Sequence, residues 1–447
     1  MRRAALADEA LQHLKALVAF DTTNPPGNEL PAARYLQRVL SDAGLDPVII
    51  ESAPGRGNVV ARIAGQDKGS PLLLFSHLDV VAAEPEHWDL PPFAAAERDG
   101  YLYGRGCLDM KQMTAMSLAA MLEQRRSGRR PQRDLIFAAV ADEEAGGELG
   151  AAHLVREHPD LIRAGWALCE IGGFRIDIKG RIFYPVQVAE RGCAWCRVRF
   201  SGDPGHGSVP DPDSAVAEMC RALTRLQRRG LPLHVTPPMR AFIDAVAARQ
   251  PLHVRTVMRG LLTGPTHRLC RLLMDAEQAR LMDAQLHNTA VPTVVRAGEK
   301  QNVIPSTAEV DIDGRVLPGQ TWDAFRAELQ AVLGPRAEIE LTRWLEPVVH
   351  PSDTHLFDVI EAVIGEREPD AAVVPYLLTG FTDAKHLDAL GIVTYGFSPM
   401  FNDPQERFAK LAHGHNERIG LDAFRWGVDA LCETVERFCH QPDRGDR

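Results

Sequence analysis

At residues 71–75 the chain reads Pro-Leu-Leu-Leu-Phe, and Ser76-His77-Leu78-Asp79 follows without a break. An apolar run this short, with no alternation, is a strand buried on both faces, and such a strand needs helices on each side of its sheet. Similar runs recur at Leu135 to Ala141 and Ala167 to Glu170, separated by helical stretches near Asp109 to Arg126 and Gly147 to Glu157. Upstream, helices over Leu6 to Phe20 and Leu30 to Ala43 flank the breaker cluster Asn24-Pro25-Pro26-Gly27, with strands at Val48 to Glu51 and Asn58 to Ile63. The pattern predicts an α/β fold, a mixed, mostly parallel sheet flanked by helices, with sites at the strand C-terminal ends.

Near Gly192 the texture changes. Cys193 to Phe200 reads as a strand, the turn-rich stretch Gly202 to Pro210 follows, and a helix is expected over Ser214 to Arg228. The stretch from Pro232 to Asp283 is helical and Arg-rich and carries no recognisable chemical motif. Strands at Val303, Ala308 to Asp313 and Glu338 to Thr342, with a helix at Trp322 to Leu333, complete an inserted α+β domain. The first texture returns from about Glu346. A chain of 447 residues exceeds one ordinary core. The expected organisation is therefore a catalytic domain at 1–191 and 346–447, interrupted by a smaller lid at 192–345.

Several function classes are disfavoured. Net charge is −10 and the basic pairs are short, so no contiguous basic face is expected for nucleic acid. No apolar run is long enough to span a bilayer, and Asp8, Glu9 and Lys15 interrupt any signal-peptide core. The eight scattered cysteines, most in apolar contexts, agree with a cytoplasmic protein. Cys193-Ala-Trp-Cys196 has redox or zinc-knuckle spacing, but without a second pair it reads as part of a strand.

Chemistry collects at the predicted strand ends. His77 and Asp79 are two apart and project together, and a ligating imidazole commonly gives its second N–H to a carboxylate. Asp109 ends the glycine-rich run from Gly104 where a helix starts, and is read either as a helix cap or as a ligand. Asp142-Glu143-Glu144 follows another apolar strand; three adjacent acids repel one another unless solvent or a cation relieves them. With Glu144 as a ligand, Glu143 points elsewhere and suits a general base. Glu170 is placed in the same way, and His413-Gly-His415-Asn-Glu417 supplies a further imidazole. This His/carboxylate set, without thiolate, suits two divalent metal ions sharing a bridging carboxylate: zinc first, with cobalt or manganese as alternatives.

The chain resembles the M20 metallopeptidase family, which includes aminoacylase-1, carboxypeptidase G2, yeast carboxypeptidase S and acetylornithine deacetylase. Matching motifs run in the family's order: Ser76-His77-Leu78-Asp79-Val80-Val81, Tyr103 to Lys111, Asp142 to Gly147, Glu170-Ile-Gly-Gly173, Gly205-His206-Gly-Ser208, Asn302-Val-Ile-Pro305, Arg315-Val-Leu-Pro-Gly319 and His413 to Glu417. The resemblance implies that Asp109 bridges the metals. His77 and Glu170 would complete one site, and Glu144 and His413 the other. Asp79 would orient His77, and Glu143 would act as base and then acid on a water shared by the metals. His413 and His415 compete for the ligand role, and the family spacing favours His413.

On its residues alone His206 is an ordinary loop histidine. The resemblance implies that it crosses a homodimer interface, through the lid, to stabilise the partner's oxyanion. Asn302, Arg315, Gly380 and Thr382 are implied to contact substrate, although Arg315 also reads as a strand salt bridge. Phe381 stands as an extra or substituted residue in the Gly380 to Ala384 loop. The expected reaction is cleavage of the amide bond of N-acyl-amino acids or small peptides with a free carboxylate. A dipeptidase or carboxypeptidase comes second, a deacylase of the acetylornithine or succinyl-diaminopimelate type third, and a non-catalytic metal-binding scaffold last.

Overall fold

The computed structural model describes residues 2–401 and 408–441. Two compact units emerge. The first is made of Met1–Val188, His350–Tyr376 and Thr382–Arg447, and the second of Ala189–Val349 with Leu377–Phe381.

The centre of the first unit is a mixed sheet in which Val48–Ala53, Arg56–Ile63, Leu135–Val140, Leu72–His77, Trp166–Cys169 and Val393–Gly396 lie side by side. Leu72–His77 runs parallel to both of its neighbours, and Val393–Gly396 runs parallel to Trp166–Cys169. The first two strands form an antiparallel edge. Every residue of Leu72–His77 and of Leu135–Val140 is buried, as a strand covered on both faces requires. Alternate side chains go to opposite layers. Leu73 and Phe75 pack with Ala151, Leu154 and Ile162, while Ser76 accepts a hydrogen bond from Thr114 in the helix Lys111–Ser127. That helix packs with Arg2–Val18 and Leu421–His440. A hairpin of Ile176–Ile178 with Arg181–Glu190, absent from the sequence reading, extends the sheet through Gln187 opposite Gly396.

Register fixes where chemistry can occur. Leu72 pairs with Leu135 and His77 with Val140, while Leu74 pairs with Leu168. The residues that follow, 142–144 and 170, therefore leave the sheet at the same edge as His77.

In the second unit, Thr289–Ala297, Thr307–Val316, Gly192–Ser201 and Glu338–Leu345 form an antiparallel sheet in that order. Strict alternation of burial along Thr307–Val316 marks one covered face. Val198, Phe200, Val310 and Ile312 pack there against Met219 and Leu226 of Ala215–Arg229 and Phe325 and Leu329 of Trp322–Leu333. Cys193 and Cys196 lie in this sheet as buried free thiols. Pro237–Ala248, Leu252–Gly260, Gly264–Arg271 and Ala276–Leu286 are four short helices filling the stretch that had no motif.

Candidate active site

Seven residues chosen from the sequence meet at one edge of the first unit's sheet. Asp109 is central. Its Oδ1 lies 3.3 Å from His77 Nε2 and its Oδ2 lies 3.1 Å from His413 Nε2. Each imidazole faces a second carboxylate: Glu170 Oε2 is 3.6 Å from His77 Nε2, and Glu144 Oε1 is 3.2 Å from His413 Nε2. Glu143 Oε2 stands 4.0 Å from His77 Nε2. Asp109 is no helix cap, because the helix begins at Lys111 and Met110 occupies the cap position without a side-chain bond. The Asp109–Met110 peptide is cis. His415 is spoken for by Glu84 at 2.8 Å.

The imidazole of His77 is held from behind. Its Nδ1 donates to the backbone carbonyl of Asp79 at 2.9 Å, which leaves the Nε2 lone pair facing the carboxylates. The Asp79 carboxylate has a second task. Oδ1 accepts the Glu143 N–H and Oδ2 the Glu144 N–H, both at 3.1 Å, and Asn24 donates to Oδ2 at 2.8 Å. Asp79 thus ties the His77 strand end to the turn Glu143–Ala145. Asp142 is turned away from the centre; Arg56, itself paired with Glu29, donates to its Oδ1 at 2.9 Å, and Leu149 N–H reaches Oδ2 at 3.0 Å. One of the three adjacent acids is therefore neutralised by an arginine.

Glu417 and Arg105 are a buried pair that sequence reasoning did not select. Arg105 Nη1 donates to Glu417 Oε2 at 2.5 Å, and Nη2 reaches the carbonyls of His413 and Gly414 at 3.2 and 3.1 Å. Glu417 Oε1 accepts the backbone N–H of Leu108 at 2.7 Å and of Asp109 at 3.3 Å. The pair fixes the Asp109 loop against the His413 loop. Both residues sit inside the quoted motifs, but nothing in a linear sequence couples positions 312 apart. Asp383 is another such residue. It is buried beside Gly147, whose φ of +80° and whose 2.6 Å clearance from Asp383 Oδ1 at the Cβ position together demand glycine.

Burial and repulsion shape the protonation of this cluster. Burial lifts the Glu170 carboxyl to about 8, outweighing the pull of His77. Glu143 is driven well above the usual carboxylate range by burial and then by the charge of Glu170. Burial opposes ionisation of Asp109, but hydrogen bonds from His413 and His77 win and hold it low. His413 rises to about 10 beside Asp109 and Glu144. Four carboxylates converging on two imidazoles can ionise together only if positive charge relieves them, and a cation is the natural relief. His77 Nε2 supports this directly. It is a buried nitrogen with no properly formed hydrogen bond among the described residues, surrounded by acid oxygens. Two triads, His77–Asp109–Glu170 and Asp109–Glu144–His413, each bring three ligand atoms within 4.8 Å of one another. They share Asp109, so the donor set fits a pair of divalent ions.

A recess beside Glu170 is walled by Leu108, Ile171, Phe174 and Met400, with Gln112 and Ser398 as polar contributors.

The remaining sequence candidates are distributed between the units. Thr382, in the first unit, is buried and accepts from Ala384 N–H. In the second unit His206 is exposed, and its Nδ1 accepts the Ser208 N–H at 3.2 Å. Asn302 lends its carbonyl to Gly207 N–H, and Gly380 has open space around it. Arg315 makes the strand salt bridge, with Nε and Nη2 on the two oxygens of Asp313 at 2.7 and 3.2 Å and its guanidinium 5.0 Å from the Phe381 ring centre. Its buried neighbour Arg191 donates to the Arg315 carbonyl at 2.8 Å.

The description "Peptidase family M20/M25/M40" matches residues 73–437. The chain belongs to this family. Among curated M20 relatives, it is 28% identical to the N-fatty-acyl-amino acid synthase/hydrolase PM20D1 of Xenopus tropicalis, over 90% of this chain and 79% of that protein. It is 30% identical to the aminoacylase-1 of Mus musculus, over 94% and 93% of the two chains. Its fold matches the M20 family metallo-carboxypeptidase Sso-CP2 from Sulfolobus solfataricus with a TM-score of 0.68 at 17% identity, covering 96% of this chain and 98% of that one. No described helix is long and apolar enough to cross a membrane.

Proposed function

We propose that this M20 enzyme hydrolyses the amide bond of N-acyl-amino acids, or of small peptides with a free carboxylate, at a two-metal centre. One observation carries the proposal: Asp109 divides its two oxygens between His77 and His413, and each imidazole faces its own second carboxylate. His77, Asp109 and Glu170 would hold one cation, and Asp109, Glu144 and His413 the other. Nitrogen and oxygen ligands without thiolate fit zinc first, with cobalt or manganese as alternatives. When bound, such ions polarise the scissile carbonyl and make water a nucleophile near neutral pH.

The chain's own groups do the rest. Among the described residues the nearest ion-pair partner of the largely enclosed Glu143 is His77, 4.0 Å away, so its carboxylate is available to take the proton of the attacking water. It then returns that proton to the leaving amine. Asp79 aims both His77 and the Glu143 backbone, so nucleophile and base stay in register. At His206, acceptance of the Ser208 N–H by Nδ1 leaves the ring proton on exposed Nε2, a donor suited to an oxyanion. We read residues 192–345 as a lid and dimerisation domain that presents His206 to a partner copy. Asn302, Gly380 and Thr382 are assigned to substrate contact, with Arg315 steadied by Asp313. The names of the two curated relatives favour the acylase reading over the dipeptidase one. Eight free cysteines accord with a cytoplasmic enzyme.

The test is a metal-loaded enzyme assayed on N-acyl-amino acids beside dipeptides. Turnover of dipeptides alone would reverse the ranking. Glu143→Ala should keep its metal and lose several orders of magnitude in kcat, and full activity in that variant would remove the base assignment. Mixing His206→Ala with Glu143→Ala should restore activity if the lid serves a partner.

A further inference from the structure

The last three short helices of the second unit leave Leu252, Leu269, Leu272, Leu273 and Leu281 exposed, so they bury little apolar surface to hold themselves together. Between the last two helices lies a cluster that the mechanism does not use. His267, Asp283 and His287 each offer a ligand atom, and these atoms all lie within 4.8 Å of one another. From them we infer a third metal site, a zinc-type centre with three protein ligands that joins the helix Gly264–Arg271 to the end of Ala276–Leu286.

The local chemistry is that of prepared ligands. His267 Nδ1 donates to the carbonyl of Leu261 at 2.8 Å, and His287 Nδ1 to the carbonyl of Asp283 at 3.0 Å. A carbonyl only accepts, so both neutral rings carry the proton on Nδ1 and keep the Nε2 lone pair for a ligand role. The rings meet edge to face with centroids 4.9 Å apart. Asp283 and His287 are four residues apart at a helix end and so share a face. Asp283 Oδ1 lies 3.5 Å from His267 Nε2, while Oδ2 is fixed by Arg271 Nε at 2.5 Å. Arg271 thereby orients the carboxylate without occupying the oxygen turned to the imidazole. His234, bridged to this turn through Leu233 and His287, is taken by Glu328 at 2.6 Å and is no fourth ligand. Metal bonds of about 2.0–2.2 Å place tetrahedral ligands roughly 3.3 Å apart, so side-chain closure of about 1.5 Å completes the site, with water in the remaining position. The alternative is a plain ion pair between protonated His267 and Asp283.

Metal counting separates the two, and it does so independently of the catalytic assignment because the readout is a difference. The full-length native enzyme, His267→Gln, His287→Gln and Asp283→Asn are equilibrated with zinc, freed of unbound metal and analysed by mass spectrometry. Each variant should hold one zinc equivalent fewer than the native chain and keep its hydrolytic activity. The rise in Tm on adding zinc to chelated protein should also shrink in each variant. Equal zinc content in native and variant chains overturns the proposal. So does a loss of Tm that is the same in chelated and zinc-loaded protein, which is the signature of a broken ion pair.

Discussion

Replacing Glu417 by alanine tests whether the metal centre is built by residues outside it. Glu417 and Arg105 are 0% and 2% exposed at their side chains, so the substitution leaves a buried guanidinium without its acid. Breaking a buried pair from one side costs about 3–5 kcal/mol. The carbonyls of Ala82, His413 and Gly414 still accept from Arg105, which favours the low end of that range. The N–H groups of Leu108 and Asp109 also lose an acceptor, at about 1–3 kcal/mol for each buried group left unpaired. A fall in Tm of about 5 °C or more is expected for a unit of this size. Asp109 stands at the end of the loosened loop and supplies both triads, so zinc affinity should fall by about 10–100-fold, the usual effect of removing a group that supports a ligand. Glu417→Gln keeps an acceptor for the two N–H groups and should recover part of the affinity while Arg105 remains uncompensated. Zinc titration against a competing chelator, with melting curves before and after chelation, reads both effects. Zinc affinity within about twofold of native in both variants, despite a lower Tm, would refute the reasoning and leave Glu417 as a remote prop.

Three further outcomes are expected. Chelation should abolish hydrolysis and zinc should restore it; activity that survives complete metal removal would sink the two-metal reading. Asp142→Ala leaves Arg56, Asn24 and Leu149 N–H short of an acceptor and should cost about 2–4 kcal/mol in denaturant melts, although Asp142 belongs to neither triad. A near-neutral result would mean that Glu29 alone satisfies Arg56. Burial holds the imidazoles of His350 and His13 below their ordinary pKa. The unfolded chain then binds more protons than the folded one, so stability is complete above about 6.5 and falls as the pH drops through the depressed folded values. His350→Gln should flatten the slope of Tm against pH below that point, and a slope equal to native would exclude His350 as a contributor.

Much of the catalytic unit is legible because its signals are local. The continuous run ending at Phe75 has one physical solution, a strand with helices on both sides, and the acids and imidazole after such runs fall at the strand ends by geometry alone. The inserted sheet is equally readable where one face alternates, as at Thr307–Val316. The hairpin at Ile176–Glu190 escaped because Lys179-Gly180 is an undistinguished turn and because Pro185 and Gln187 interrupt the apolar run of the second strand, although packing buries both.

Residue types and strand-end positions are set by the sequence, because a side chain's chemistry and the alternation of a strand act over a few residues. Which of those groups meet was decided only by the tertiary structure. Asp109 and His413 are 304 positions apart (413 − 109) yet lie 3.1 Å from one another, and Asp142 turned out to serve Arg56 while its neighbours turned inward. The reason is physical: a long-range pair depends on register, burial and the cost of an unmatched charge. Those quantities exist only once the strands are side by side.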